Sequence, residues 1–248
     1  YGDHRDLHSL RRRQRQMCIR DRFYTAVADV PPKPSDVRLA LVRTKDFRGY
    51  EKLGVAAPFN SKAGCLFPRK IRGQLCMIFT INPDIPPSNL ALAYFDSISE
   101  LQDPEFWREW SKRLEAGEAT VTIGEPRPPF VELGSPPIET EEGWLLFVPD
   151  IIYEGGQFLE FRIAAMLLDL ENPSKVVARA REPLLCPSVG YECMGRSYPL
   201  TKIAMPTGAM VMGEEVYVYY GASDLFCCMA YCELGKLVRW LMGECRVW

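Results

Sequence analysis

A chain of 248 residues, 47% of them hydrophobic, is long enough for one large all-β domain, and no apolar run reaches the roughly 18 residues that cross a bilayer. The net charge of −2 is unevenly placed: residues 1–22 carry seven Arg against three Asp, a net of +4, which leaves −6 on the rest. A mildly acidic body argues against nucleic acid and against an anionic membrane as partners.

The two histidines stand at positions 4 and 8, so residues 23–248 hold none. That excludes a Ser-His-Asp or Cys-His catalytic set and a His-ligated zinc from the body, and leaves carboxylates as the natural acid/base groups. The nine cysteines form no CxxC pair, and most sit in apolar runs, as reduced buried residues do. With a polar start and no visible signal peptide, this points to a reducing, cytoplasmic setting. Nothing calls for a metal or cofactor.

In chain order, residues 1–22 have no helical or strand period and read as a disordered or non-native basic stretch. Regular structure is expected from Phe23, and residues 23–248 form the domain. Phe23 to Leu53 is a partial repeat unit around the strand Val37–Val42. Three fuller units follow, each with a strand, a glycine turn, a second strand, a connection and a third strand. The first runs from Cys65 through Gly73 to Leu75–Thr80 and Leu90–Phe95. The second runs from Gly134 through Gly143 to Trp144–Val148 and Ile163–Leu168. The third runs from Pro206 through Gly213 to Glu215–Gly221 and Cys227–Cys232. A short amphipathic helix is expected at Phe106–Leu114, and Leu234–Met242 reads as a closing helix or last strand.

Gly73, Gly143 and Gly213 are spaced by 70 residues in both steps. Equal spacing of short-stranded units favours a β-propeller over a β-sandwich. The expectation is an all-β, five-bladed propeller with about four blades present. Arg69, Lys70, Glu139 and Asp224 fall where side chains would enter its funnel.

Several segments resemble glycoside hydrolase family 130, the mannoside phosphorylases and β-mannosidases. They are Leu66-Phe67-Pro68-Arg69-Lys70-Ile71, Gly134 to Leu146 with its Pro136-Pro137-Ile138 core, and Leu167 to Val176. Pro183-Leu184-Leu185 with Tyr191, Glu192 and Gly195, and Tyr219-Tyr220-Gly221-Ala222-Ser223-Asp224, complete the set. The resemblance implies a five-bladed propeller and a mannose-containing oligosaccharide as substrate.

Phosphorylases of the family carry an HRP-type triplet where this chain has Thr80-Ile81-Asn82-Pro83, and a YHG-type segment where it has Phe147-Val148-Pro149-Asp150. Ser61 to Cys65 is similar to the hydrolase lead-in. The resemblance therefore favours inverting hydrolysis of β-1,2-mannosides, with phosphorolysis as runner-up and a non-catalytic glycan-binding propeller as a third reading.

The family's acid, an Asp in a DPR-type motif, has no match here, so impaired activity and a missing first blade are expected. Open sheet edges would then make the chain poorly soluble. Glu160 and Glu109 are the candidate bases; Asp224, Lys70, Arg69 and Lys62 are the candidate substrate-binding residues. Homo-oligomerisation stays open.

Overall fold

The computed structural model describes residues 20–29, 33–85, 87–123, 130–195 and 202–243, with residues 20 and 21 described by backbone alone. The stretch 1–19 lies outside the described residues, and with it most of the expected basic segment. The first strand begins at Arg20, three residues before the expected Phe23.

The fold is mostly β. Strands β1 (Arg20–Val27), β2 (Val37–Thr44) and β3 (Tyr50–Ala57) form one antiparallel sheet. A second consists of β4 (Ser61–Leu66), β5 (Leu75–Ile81) and β6 (Asn89–Phe95).

The third sheet has seven strands. These are β7 (Ile138–Glu139), β8 (Trp144–Glu154), β9 (Gln157–Leu168), β10 (Val176–Arg179), β11 (Lys202–Met212), β12 (Glu215–Ala222) and β13 (Phe226–Glu233). Two repeat units expected as separate blades are thus joined. The joint is short: Lys202 and Ile203 of β11 pair in parallel with Glu160 and Phe161 of β9. Among the described residues no ladder joins β13 back to β1, so the sheets do not close into a ring.

Helix α1 (Pro104–Glu115) is longer than the expected Phe106–Leu114. It starts at Asp103, whose side chain accepts the Glu105 N–H, with Pro104 in the first turn. Its Trp107 and Trp110 are buried. Helix α2 (Gly190–Cys193) is one turn, and α3 (Leu234–Leu241) follows β13 as a helix rather than a strand. None of the described helices is long and apolar enough to cross a membrane.

The core sits between successive sheets and, within the third, between β8–β9 and β11–β12 with α3, and strand alternation builds it. On β5, Met77 and Phe79 face the first sheet and α1, while Cys76 and Ile78 face the third sheet. On β8, Trp144, Leu146 and Val148 turn back towards β4–β6, while Leu145 and Phe147 turn forward onto β11, β12 and α3. Successive side chains point to opposite faces, so near-continuous apolar runs are what a sheet buried on both faces requires. The sheets are therefore stacked face to face in chain order.

The expected glycine turns are all present. Arg72 and Gly73 have φ of 50° and 84° between the paired Ile71 and Gln74, a two-residue turn with both residues left-handed. Gly213 (φ 63°) turns β11 into β12. At Gly143 the requirement is space: a Cβ would lie 2.5 Å from the Leu168 carbonyl oxygen.

Candidate functional site

A cavity of about 450 Å³ lies where all four repeat units meet. Arg22 and Phe23 of β1, residues 63–66 of β4, residues 133–136 and residues 205–207 of β11 line it. Small residues let these segments approach. A Cβ on Gly64 would lie 2.4 Å from Leu39 Cδ2, and one on Gly134 would lie 2.5 Å from the Phe147 carbonyl oxygen. The Arg22 guanidinium packs 4.7 Å from the centre of the Phe47 ring.

Residues 131–135 lie in no strand, and side-chain hydroxyls supply partners to Val131 and Leu133, while the Ser135 N–H donates to the Phe147 carbonyl at 3.0 Å. Ser88 Oγ accepts the Val131 N–H at 2.8 Å and donates to the Val131 carbonyl at 3.2 Å. Thr80 Oγ1 accepts the Leu133 N–H at 2.9 Å. Ser135 Oγ accepts the Phe147 N–H at 3.0 Å. The segment is held between two sheets from both sides.

This fixes Glu132, which is 4% exposed. Its Oε1 meets Lys62 Nζ at 3.0 Å. Lys62 and Glu132 each precede a cavity-lining residue in sequence, but neither lines the cavity itself. Burial raises the Glu132 carboxyl above its ordinary value; Lys62 opposes the rise and the Asp84 carboxylate adds to it. Asp84 is itself held by Asn60, whose Nδ2 donates to Asp84 Oδ2 at 3.0 Å and to the Pro34 carbonyl at 2.7 Å.

Of the candidate site residues expected from sequence, none lines the cavity, and Lys62 is next in sequence to one that does. Arg69 and Glu139, expected to enter the funnel, instead bond each other: Arg69 Nε meets Glu139 Oε1 at 2.7 Å, and its Nη2 meets Glu171 at 3.1 Å. The Arg69 guanidinium also lies over the Trp144 ring, so packing holds it there. Lys70 is exposed beside it. Glu109 lies on the solvent face of α1 and pairs with Lys112 at 2.5 Å. Glu160 is half-buried on β9, opposite Ile152 and Lys202. Asp224 is exposed in the turn between β12 and β13, where it and Ser223 both have positive φ, 55° and 51°. None of these six lines the cavity.

Two buried carboxylates escaped the sequence reading as site residues. Glu132 had a signal: one charge inside the apolar run Phe130 to Leu133. Glu192, 3% exposed, belongs to one of the recognised segments. It accepts the Tyr220 hydroxyl at 2.7 Å and the Ser188 N–H at 2.9 Å, while Gly195 packs against Ser223. It thereby joins the Tyr191–Gly195 and Tyr219–Asp224 segments. Burial first, and the bond to Glu192 second, raise the Tyr220 hydroxyl's pKa.

The Thr80 hydroxyl, at the place of the HRP-type triplet, is spent on the Leu133 N–H. Asn82, next but one, donates its N–H to the Asn60 carbonyl at 3.0 Å. Neither supplies a cation.

The family model described as beta-1,4-mannooligosaccharide phosphorylase matches residues 22–243. A 1,2-beta-oligomannan phosphorylase from Thermoanaerobacter sp. (strain X514) is 32% identical over 199 residues, covering 80% of this chain and 60% of that protein. A beta-1,4-mannooligosaccharide phosphorylase from Ruminococcus albus is 29% identical over 238 residues, 92% of this chain and 64% of that protein. The chain thus spans less than two thirds of either relative.

Among solved structures, a beta-1,2-mannobiose phosphorylase from Listeria innocua, in complex with beta-1,2-mannobiose, superimposes with a TM-score of 0.68 at 24% identity. It covers 92% of this chain and 58% of that one. A glycosyl hydrolase from Bacteroides ovatus gives 0.64 at 16%, with 88% and 62% covered. These two likenesses speak to fold. With a family match running from β1 to the end of α3, the chain belongs to glycoside hydrolase family 130, a family of carbohydrate-active enzymes.

Proposed function

We propose that the protein cleaves β-mannosidic bonds in manno-oligosaccharides with inorganic phosphate as acceptor, releasing mannose 1-phosphate. The observation that carries this reading is the cavity bordered by every repeat unit, in a chain whose curated relatives are mannoside phosphorylases. A concave site where several elements converge is where a sugar would be held. On the same reading the stacked sheets are blades of a five-bladed propeller, about four of them in this chain. Their face-to-face order and the 70-residue recurrence of the turn glycines support that architecture.

Hydrolysis is the second reading, and Thr80 and Asn82 favour it. The place of the HRP-type triplet is filled by neutral groups that serve the backbone, and the buried Glu132 carboxylate, paired with Lys62, is next in sequence to a cavity-lining residue. An inverting hydrolase needs such a carboxylate to take a proton from water.

The test is to incubate the full-length protein with β-1,2- and β-1,4-mannobiose, with and without phosphate. Phosphate-dependent formation of mannose 1-phosphate is the expected result. Mannose as sole product in the presence of phosphate overturns phosphorolysis in favour of hydrolysis. Sugar binding with neither product leaves a glycan-binding propeller.

A further inference from the structure

We propose that a second cavity, separate from the first, binds one pyranose ring of a manno-oligosaccharide. It has a volume of about 290 Å³ and shares no lining residue with the cavity where the repeat units meet. Apart from Pro183, none of the residues that line it belongs to the segments that resemble the family. The choice of sugar rests on the mannoside reading above; the site rests on its own walls. At this volume it stands at the small end of ligand pockets, which run from roughly 300 Å³, so one ring is what it can hold.

Strand alternation makes the walls. Val148 and Asp150 of β8 stand opposite Ala164 and Arg162 of β9, on one face of the sheet. Val131, Val148 and Met166 are buried liners, with Ala164 half-buried beside them, so the floor is apolar. Phe130 lines the cavity too, its ring centre 5.0 Å from that of Tyr153 and 4.8 Å from that of Phe158. The charged liners lie nearer solvent: Asp150 and Arg179 are half-buried, Arg181 and Glu182 exposed. Two carboxylates balance two guanidiniums, so the rim prefers neither an anion nor a cation. It offers acceptors and donors together, and a neutral polyol uses both, since each hydroxyl donates and accepts. The C–H groups of a sugar ring are then left for the apolar floor and the Phe130 ring. Asp150 is set in place by Arg162, whose Nη2 donates to its Oδ2. The Arg162 Nε is buried and has no hydrogen-bond partner among the described residues, so an oxygen from outside them must satisfy it. A mere packing gap would be apolar throughout and dry; this one has a polar rim.

The test titrates the full-length protein by calorimetry with S-linked β-1,2- and β-1,4-mannobiose in turn, analogues that are not cleaved, and follows turnover of the ordinary sugars in parallel. Two sugars bound per chain are expected with one linkage or the other. Ala164→Leu fills the cavity from its floor, where there is room for the added carbons, and is expected to leave one sugar per chain with Tm close to that of the parent. Asp150→Asn keeps the shape, removes the charge, and is expected to weaken the second site about tenfold. A merely structural role for these residues would lower Tm without altering the stoichiometry. One sugar or none per chain with both linkages overturns the site, and so do two sugars that Ala164→Leu leaves in place. Two bound sugars without turnover of either mannobiose overturns the glycosyl-transfer reading and leaves the second site standing.

Discussion

Glu192 and Tyr220 show what a single buried contact does for this chain. The carboxylate takes the tyrosine hydroxyl on one oxygen and the Ser188 and Val189 N–H groups on the other. All four groups are polar, and the carboxylate is 3% exposed. Tyr220 and Glu192 are buried, while Ser188 and Val189 are exposed residues, so the cost of change depends on which group is left unpaired. Tyr220→Phe removes one donor and is expected to cost about 1–2 kcal/mol in urea unfolding. Glu192→Ala strands a hydroxyl and two N–H groups and is expected to cost about 3 kcal/mol or more. Equal costs, or a larger one for Tyr220→Phe, would mean that the hydroxyl rather than the carboxylate organises the junction. Lys62 and Glu132 differ in kind. There one partner, Lys62, reaches solvent.

At the scale of elements, the turn glycines recur at one spacing but for different physical reasons. Gly73 has a left-handed backbone and open space around its Cα, while a Cβ at Gly143 would press on the Leu168 carbonyl of a core strand. Gly73→Ala should therefore cost about 1 kcal/mol, the penalty of a left-handed alanine. Gly143→Ala should cost several times that and lower Tm clearly more, because backbone must move to relieve the contact. Near-equal Tm values for the two variants would refute this.

The hairpins were legible because glycine interrupts apolar runs of strand length. What could be read of the site was coarser. Arg69 and Glu139 fall at funnel-facing positions by count, yet a guanidinium beside two carboxylates and an indole ring has better partners than an open cavity. The bridge at residues 131–135 had no strand signature, because its partners are the hydroxyls of Ser88 and Thr80 rather than a neighbouring ladder. The two-residue pairing of β9 with β11 is too short to leave a pattern.

Across the whole molecule, the sheets differ in how well they are covered. β5 and β8 are buried on both faces, each lending side chains to two cores. The β11–β13 end of the third sheet is not. Val216, Val218, Tyr220 and Ala222 of β12 face the core, while Tyr217 and Tyr219 alternate to the other side. There Met210, Tyr217 and Tyr231 stand opposite one another across three strands, and Tyr219 stands opposite Met229. The rings of Tyr217 and Tyr231 stack at 5.5 Å, and Met210, Tyr219, Met229 and Tyr231 are each more than 40% exposed.

A contiguous aromatic and methionine face of this kind is what association surfaces present, and it carries far more binding potential than scattered apolar residues. The chain of 248 residues is therefore expected to self-associate, with a mass in sedimentation that rises with concentration. Met229→Lys with Tyr231→Lys places two like charges on the face without touching the core side of β13. That variant is expected to remain monomeric with Tm close to that of the parent. A parent chain of constant monomeric mass over a hundredfold range of concentration would show that the exposed ladder is no contact surface. A double variant that still associates would place the contact elsewhere, at the edges of β3 or β13 that no described strand pairs with.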